Sequence, residues 1–231
     1  MHPALILARR FIIYGLYRRF PLELHMSLDL QAVNRDLGRD PEGLIAWALA
    51  QDPGAIITSN FRPFSAAILH LVARQRPDIP VVWMDNGYNT AATYQFADQV
   101  TAQLGLRRLI YQPLRSRAHR EAVDGADVPA LDTPEHDRFT EEVKLEPFRR
   151  ALRELQPKIW ITGVRSGDTA HRAGMDPVSL DSRGVIKVAP ILHWTSKDLW
   201  QYLKQHGLPD NLDYYDPTKG DDKRECGLQT A

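Results

Sequence analysis

Ala55-Ile56-Ile57-Thr58-Ser59-Asn60-Phe61-Arg62-Pro63-Phe64-Ser65-Ala66-Ala67-Ile68-Leu69-His70-Leu71-Val72 changes its hydrophobic period partway along. Ala55–Thr58 follows a turn at Asp52-Pro53-Gly54 and is a short apolar run, the pattern of a buried strand. From Phe64 onward the apolar side chains Phe64, Ala67, Ile68, Leu71 and Val72 recur at helical spacing, so one face of a helix over 63–75 packs on the core. Between the two lies a polar loop, Ser59–Arg62, with Pro63 suited to a first helical turn. A buried strand that hands over to a helix through a polar loop is the repeating unit of α/β proteins.

The unit recurs in both directions. Asp40-Pro41-Glu42-Gly43 opens a helix through Ala50. After a break at Pro77–Pro80, Val81-Val82-Trp83-Met84 predicts a second strand, ending at Asp85-Asn86-Gly87-Tyr88. A helix near 91–104 and a strand at Leu109–Tyr111 follow. Residues 113–138 are polar with few apolar anchors and predict a long loop. A helix covers about 140–155, with a break expected at Pro147. Ile159-Trp160-Ile161-Thr162 is a fourth strand and runs into Gly163-Val164-Arg165-Ser166-Gly167-Asp168. Val178–Leu180 and Val185–Val188 flank a turn, a hairpin signal. Thr195-Ser196-Lys197-Asp198 has the form of a capping box and starts a helix that stops at Gly207. The expected fold is α/β, a mostly parallel sheet flanked by helices. Ligands of such sheets bind beyond the carboxyl ends of the strands. The loops 59–62, 85–88 and 163–172 are therefore expected on one rim, forming one site.

The chain has 231 residues, 43% apolar and 25% charged, with 29 basic and 29 acidic side chains. That length fits one large domain with extensions. The balanced charge argues against a general nucleic-acid binder. No window approaches the roughly 20 apolar residues of a membrane span. Residues 1–25 mix apolar runs with Arg9, Arg10, Arg18 and Arg19 and are expected to be an extension outside the compact fold. Residues 26–209 are then expected to form the compact α/β domain and 210–231 a mobile tail. The histidines His171, His193 and His206 make no spaced set with carboxylates or cysteines, so no metal site is expected.

Cys226 is the single cysteine. It excludes an internal disulfide and a cysteine-ligated iron–sulfur cluster within one chain, and it suits a reducing, cytoplasmic compartment. It lies near the C-terminus in Lys223-Arg224-Glu225-Cys226-Gly227-Leu228, where the cations Lys223 and Arg224 favour the thiolate, the nucleophilic form. Local chemistry leaves two readings open, a free surface thiol and a catalytic nucleophile.

Five segments, in this order, resemble the sulfonucleotide reductase family, most closely its phosphoadenylyl-sulfate (PAPS) branch. Arg76–Val81 followed by Asp85-Asn86-Gly87-Tyr88 looks like the family's second strand and Asp-Thr-Gly-Tyr turn. Lys144-Leu145-Glu146-Pro147 resembles Lys-Val-Glu-Pro, and Gly163-Val164-Arg165 with Arg172 resembles the Gly-Leu-Arg-Arg loop. Gly184–Ile191 followed by Trp194 is similar to Gly-Val-Phe-Lys-Val-Leu-Pro-Ile. The Cys226 motif matches without a gap. The resemblance covers roughly residues 50–229. It implies an adenine-nucleotide α-hydrolase-like fold and attack by Cys226 on the sulfur of PAPS. It also implies an S-sulfocysteine intermediate and release of sulfite by thioredoxin or glutaredoxin as external reductant. No bound cofactor is implied, because the paired cysteines of the cluster-bearing branch are absent.

On this resemblance Cys226 is catalytic, and Ser59, Arg62, Asp85, Gly87, Tyr88, Lys144, Gly163, Arg165, Arg172, Lys223 and Arg224 contact substrate. A guanidinium fork suits phosphate oxygens, which favours Arg165 and Arg172. Lys144 stands equally as a helix-surface lysine, and Asp85–Tyr88 as an ordinary Asn-Gly turn. Arg115–Arg120 is a local basic run read as a solvated loop. The first loop departs from the family's Ser-Ser-Phe-Gly: Arg62 stands where glycine would let backbone N–H groups approach an anion, and can supply charge instead. The final His of the motif is Gln229. Two alternatives stay open, a non-catalytic sulfonucleotide sensor and an ATP-using adenylating enzyme of the same fold. A homodimer is compatible with the sequence.

Overall fold

The computed structural model describes residues 28–220 together with Glu225, Gly227 and Leu228. The expected extension 1–25 lies outside the described residues. Strands β1 (Ile56–Thr58), β2 (Pro80–Met84), β3 (Arg107–Tyr111), β4 (Ile159–Thr162), β5 (Val178–Leu180) and β6 (Ile186–Val188) form one sheet in the order β3-β2-β1-β4-β6-β5. Every neighbouring pair is parallel except β5 with β6, which is the expected hairpin. Helices α1 (Leu30–Leu37), α2 (Pro41–Gln51), α3 (Ser65–Gln75), α4 (Ala91–Leu104), α5 (Arg117–Asp124), α6 (Pro134–Thr140), α7 (Glu146–Leu155), α8 (Ala170–Ala173) and α9 (Ser196–His206) surround it. Among the described residues no helix is long and apolar enough to cross a membrane.

The strands are apolar on both faces because both faces are covered. Ile57, Val81, Trp83, Ile159 and Ile161 join one core cluster with side chains of α2, α3, α4 and α9. Their sequence neighbours Ile56, Val82, Met84 and Trp160 join another with Phe148 and Ala151 of α7. The period of two along each strand thus divides the sheet between two cores. Helix starts follow the sequence: Asp40 accepts from Gly43 N at 3.0 Å ahead of α2, and Thr195 and Asp198 form a full capping box on α9. Such a cap contributes about 1 kcal/mol.

Two expectations are corrected. Residues 113–138 are not one long loop: they hold α5 and the start of α6, capped by Ser116 and Thr133. The periodicity was hidden because the buried positions are polar or aromatic, Arg120 in α5 and His136, Phe139 and Thr140 in α6. The helix over 140–155 does not break at Pro147. A π-helical turn, Glu141–Leu145, joins α6 to α7, and Pro147 sits in the first turn of α7, where its missing N–H costs little.

The strand order reverses between β1 and β4, the arrangement that leaves a crevice beyond the carboxyl ends. The loops after β1, β2 and β4 share one edge of the sheet because those strands are parallel neighbours.

Candidate active site

A cleft of about 160 Å³ opens where β1 and β4 end. Ser59 and Arg62 from the β1 loop and Gly163, Arg165 and Arg172 from the β4 loop line it. Its other wall is Tyr214, Asp216, Lys219 and Leu228, from the C-terminal segment.

The β1 loop is held in an unusual shape. Phe61 and Phe64 both adopt left-handed φ, +52° and +66°, a conformation that costs a residue with a Cβ of order 1–3 kcal/mol. Contacts from both sides keep it there. Ser59 Oγ accepts from Phe61 N at 3.0 Å, Asn211 Nδ2 donates to Phe61 O at 2.8 Å, and Asp210 Oδ1 accepts from Phe64 N at 2.6 Å. The chain bends without glycine because Asp210 and Asn211 clamp it. Gly163 is tightly placed for a different reason: a Cβ there would lie 3.1 Å from Ile68 Cγ2 of α3, so that side chain would have to give by a few tenths of an ångström.

Asp168 gathers the arginines. It accepts from Arg62 Nη2 at 2.6 Å, Arg165 Nη2 at 2.7 Å and Arg172 Nη1 at 3.1 Å. Arg62 also donates to Gly163 O at 3.1 Å and so ties the two loops together. Burial by itself would raise the Asp168 pKa, but the charges of Arg62, Arg165 and Arg172 hold it below the usual carboxylate range. Burial lowers that of Arg165. A depressed folded pKa stabilises the protein above the unfolded value, about 3.9, and that stability is lost as pH falls through the folded value. Asp168→Asn is therefore expected to lower stability at pH 7 and to flatten its decline below about pH 4. Urea melts across pH measure this; parallel acid limbs for the two proteins would contradict it.

Arg172, 5% exposed, also meets the C-terminal segment. Its Nη2 donates to Glu225 Oε2 at 2.8 Å, and its Nε lies 2.6 Å from Glu225 Oε1 without hydrogen-bond alignment. Thr169 Oγ1 donates to Glu225 Oε1 at 2.6 Å. Burial opposes ionisation of Glu225, yet the hydrogen bonds from Arg172 and Thr169 leave its pKa lowered. On the other side of Cys226, Leu228 is buried against the β2 and β4 cluster. Gly227 has φ +84°, and a Cβ there would lie 3.3 Å from Leu145 Cδ1. Cys226, Lys223 and Arg224 lie outside the described residues.

Lys144 does not line the cleft. Its ammonium sits in the π-helical turn, paired with Asp216 and donating to Thr218 Oγ1 at 3.0 Å. Asp216 carries that wall of the cleft, so Lys144 reaches the site through Asp216. Residues 210–220, expected to open a mobile tail, are tied to the body at Asp210, Asn211 and Asp216.

Asp85, Gly87 and Tyr88 share the edge but not the cleft. Asp85 accepts from Gly87 N, Asn89 Nδ2, Tyr94 OH and Gln112 Nε2 at 2.8–3.1 Å and organises its own loop. Burial and the Asp85 hydrogen bond push Tyr94 up to about 12. Tyr88 lies under Arg117 and Arg120, whose Cζ atoms are 4.5 and 4.9 Å from its centroid. Arg120 is 4% exposed, so the basic run is not wholly solvated. Its Nε and Nη2 find no hydrogen-bond partner among the described residues, and the Tyr88 and Phe139 rings face its charge instead.

Sequence reasoning missed Asp168, Thr169, Asp216 and Lys187 as parts of this region. Lys187 is 8% exposed on β6, and burial lowers its pKa. A lysine between Ile186 and Val188 in a buried strand was its signal.

A sheet of this order with an arginine-lined cleft beyond β1 and β4 defines an adenine-nucleotide α-hydrolase-like protein. The structure of a phosphoadenylyl-sulfate (PAPS) reductase from Candida auris superposes with a TM-score of 0.68 at 22% identity, covering 79% of this chain and 87% of that one. Candida glabrata FMN adenylyltransferase shares the fold at TM-score 0.54 and 14% identity, over 84% of this chain and 61% of that one. The phosphoadenosine phosphosulfate reductase domain model matches residues 55–215. A phosphoadenosine 5′-phosphosulfate reductase of Synechocystis is 40% identical over 185 residues, 79% of this chain and 74% of that protein. One from Xanthomonas euvesicatoria is 42% identical over 183 residues, 78% and 75% of the two chains. The chain belongs to the phosphoadenosine phosphosulfate reductase family and is a reductase of that type.

Proposed function

We propose that the protein reduces 3′-phosphoadenylyl sulfate to sulfite and adenosine 3′,5′-bisphosphate in assimilatory sulfate reduction, with Cys226 as nucleophile. The observation that carries this is the placement of Arg62, Arg165 and Arg172 in a cleft walled by Leu228, two residues from the only cysteine. Three guanidiniums against the two carboxylates of Asp168 and Glu225 leave net positive charge for phosphate and sulfate oxygens.

The Cys226 thiolate attacks the sulfur of the SO₃ group. The Sγ–S bond forms as the S–O bond to phosphate breaks, and the nucleotide leaves as a stable phosphate that needs no general acid. A thiolate of thioredoxin or glutaredoxin then attacks Sγ and expels sulfite with the electron pair of the S–S bond. The reductant's second thiol closes its own disulfide and returns Cys226 as thiolate. One cysteine cannot resolve itself, so an outside dithiol is required. Ser59, Lys223 and Arg224 add substrate contacts in this reading, Asp85, Gly87 and Tyr88 shape the nucleotide edge, and Lys144 acts through Asp216.

Intact-protein mass spectrometry after mixing with PAPS tests the chemistry. A sulfonate adduct on the Cys226 peptide, discharged as sulfite by reduced thioredoxin, is expected. Nucleotide binding with neither adduct nor sulfite would replace this reading with a sensor, and ATP cleavage to pyrophosphate would replace it with an adenylating enzyme.

A further inference from the structure

We infer that Glu225 is a positioning residue for the cysteine beside it, and that Glu225 and an anionic group of the substrate are alternative occupants of the Arg172 guanidinium. The inference rests on the reading of Cys226 as nucleophile and adds to it how the cysteine segment is held and released.

The argument is a comparison of two carboxylates. Arg172 lines the cleft, and its guanidinium is engaged by Asp168 on Nη1 and by Glu225 on Nη2 and Nε. A phosphate or sulfate oxygen that reaches Arg172 must displace one of them. Asp168 is the harder to move, because Arg62 and Arg165 hold it as well. Among the described residues Glu225 accepts one other side-chain hydrogen bond, from the Thr169 hydroxyl at 2.6 Å, and the charges of Lys219 and Lys187 also act on it. Glu225 is therefore the exchangeable ligand. Thr169 and Arg172 lie within one turn of chain, since Thr169 is the N-cap of α8 and Arg172 is in that helix. A single short element thus grips the residue next to the nucleophile. Because Glu225 and Cys226 are adjacent, exchange at Arg172 alters the restraint on the thiol. Linkage makes the effect reciprocal: anion binding loosens Glu225, and loosening Glu225 strengthens anion binding.

The single cysteine makes the test direct, because a thiol reagent reports Cys226 alone. The limiting rate of reaction with DTNB, taken on the alkaline plateau where the thiol is fully ionised, removes any effect of a shifted thiol pKa. Inorganic phosphate is the anion probe, titrated against chloride at constant ionic strength, with its binding followed by calorimetry. In the unaltered protein phosphate is expected to raise the limiting rate about three- to tenfold, on the order of the coupling typical between linked sites. Glu225→Asp keeps the charge but cannot span Thr169 and Arg172. It is expected to react fast without phosphate, to respond little to it, and to bind it about tenfold more tightly. Thr169→Val removes one hold without changing charge and should fall between. In turnover, Glu225→Asp should lower both kcat and KM, a pattern that simple loss of folding does not produce. Equal limiting rates for the parent and Glu225→Asp, or phosphate binding that leaves the parent's rate unchanged, would overturn the inference. The DTNB and phosphate-binding readouts need no turnover, so a failed sulfonate adduct sinks the proposed reaction and leaves the grip on Glu225 separately decided.

Discussion

Cys226→Ser is expected to lower sulfite formation by about 10³-fold or more while leaving nucleotide affinity within about twofold. The split follows from where the binding groups are. In the proposed mechanism the charges that meet the nucleotide are those of Arg62, Arg165 and Arg172, which are fixed around Asp168 on two loops of the sheet edge. A serine hydroxyl removes the nucleophile, since an alcohol is scarcely ionised where a thiol beside cations is. Binding energy is then untouched and only the chemical step is lost. Single-turnover sulfite release with PAPS and excess thioredoxin, beside equilibrium binding of adenosine 3′,5′-bisphosphate, reads both quantities. Parent-like sulfite release from Cys226→Ser would remove Cys226 from the chemistry and with it the proposed mechanism.

The second large effect is on stability. Lys144 and Asp216 are paired with side chains only 3% and 4% exposed. Burial opposes the charge on Asp216, and Lys144, with the Thr218 hydrogen bonds, more than offsets it, so its pKa lies below the ordinary value. Lys144→Met leaves that carboxylate buried without its cation, a change that costs about 3–5 kcal/mol. For a chain of this size that is a fall in Tm of roughly 10 °C. The double variant Lys144→Met with Asp216→Asn removes the orphaned charge and is expected to recover most of the loss. Thermal melts of the three proteins check this. A single variant as stable as the parent would show that the pair does not anchor the C-terminal segment. Nucleotide affinity in the double variant decides the other question: parent-like affinity makes Lys144 an anchor for Asp216, and a large loss makes it an anion contact.

The parts of the site differed in how far they could be read from the chain. Arg165 and Arg172 were legible because a strand ending in a glycine-containing cationic loop is a local pattern, and the sheet puts that loop at the cleft. Lys144 was legible as a residue but not as a geometry, since its partner is 72 positions away. Asp85 groups with the arginines in the sequence because all three loops follow strands. The structure puts it on the same edge, turned into its own hydrogen-bond network. Asp168 drew no attention as a lone acid in a polar loop, and only the convergence of two loops shows what it collects. The helices in 113–138 were missed because their inward faces use Arg120 and His136, which a search for apolar periodicity passes over.

Residue order alone was enough for the α/β class, the strand–loop–helix units, the hairpin at 178–188 and the main helix caps. Those features depend on periodicity and on contacts a few positions apart, which are written locally. Folding alone decided that β4 returns beside β1, that Arg62 crosses to Asp168 over a separation of 106 residues, and that the residues flanking Cys226 meet Arg172 and the β2–β4 core. Ion pairs between distant segments are set by the packing of whole elements, and no short stretch of chain carries that information.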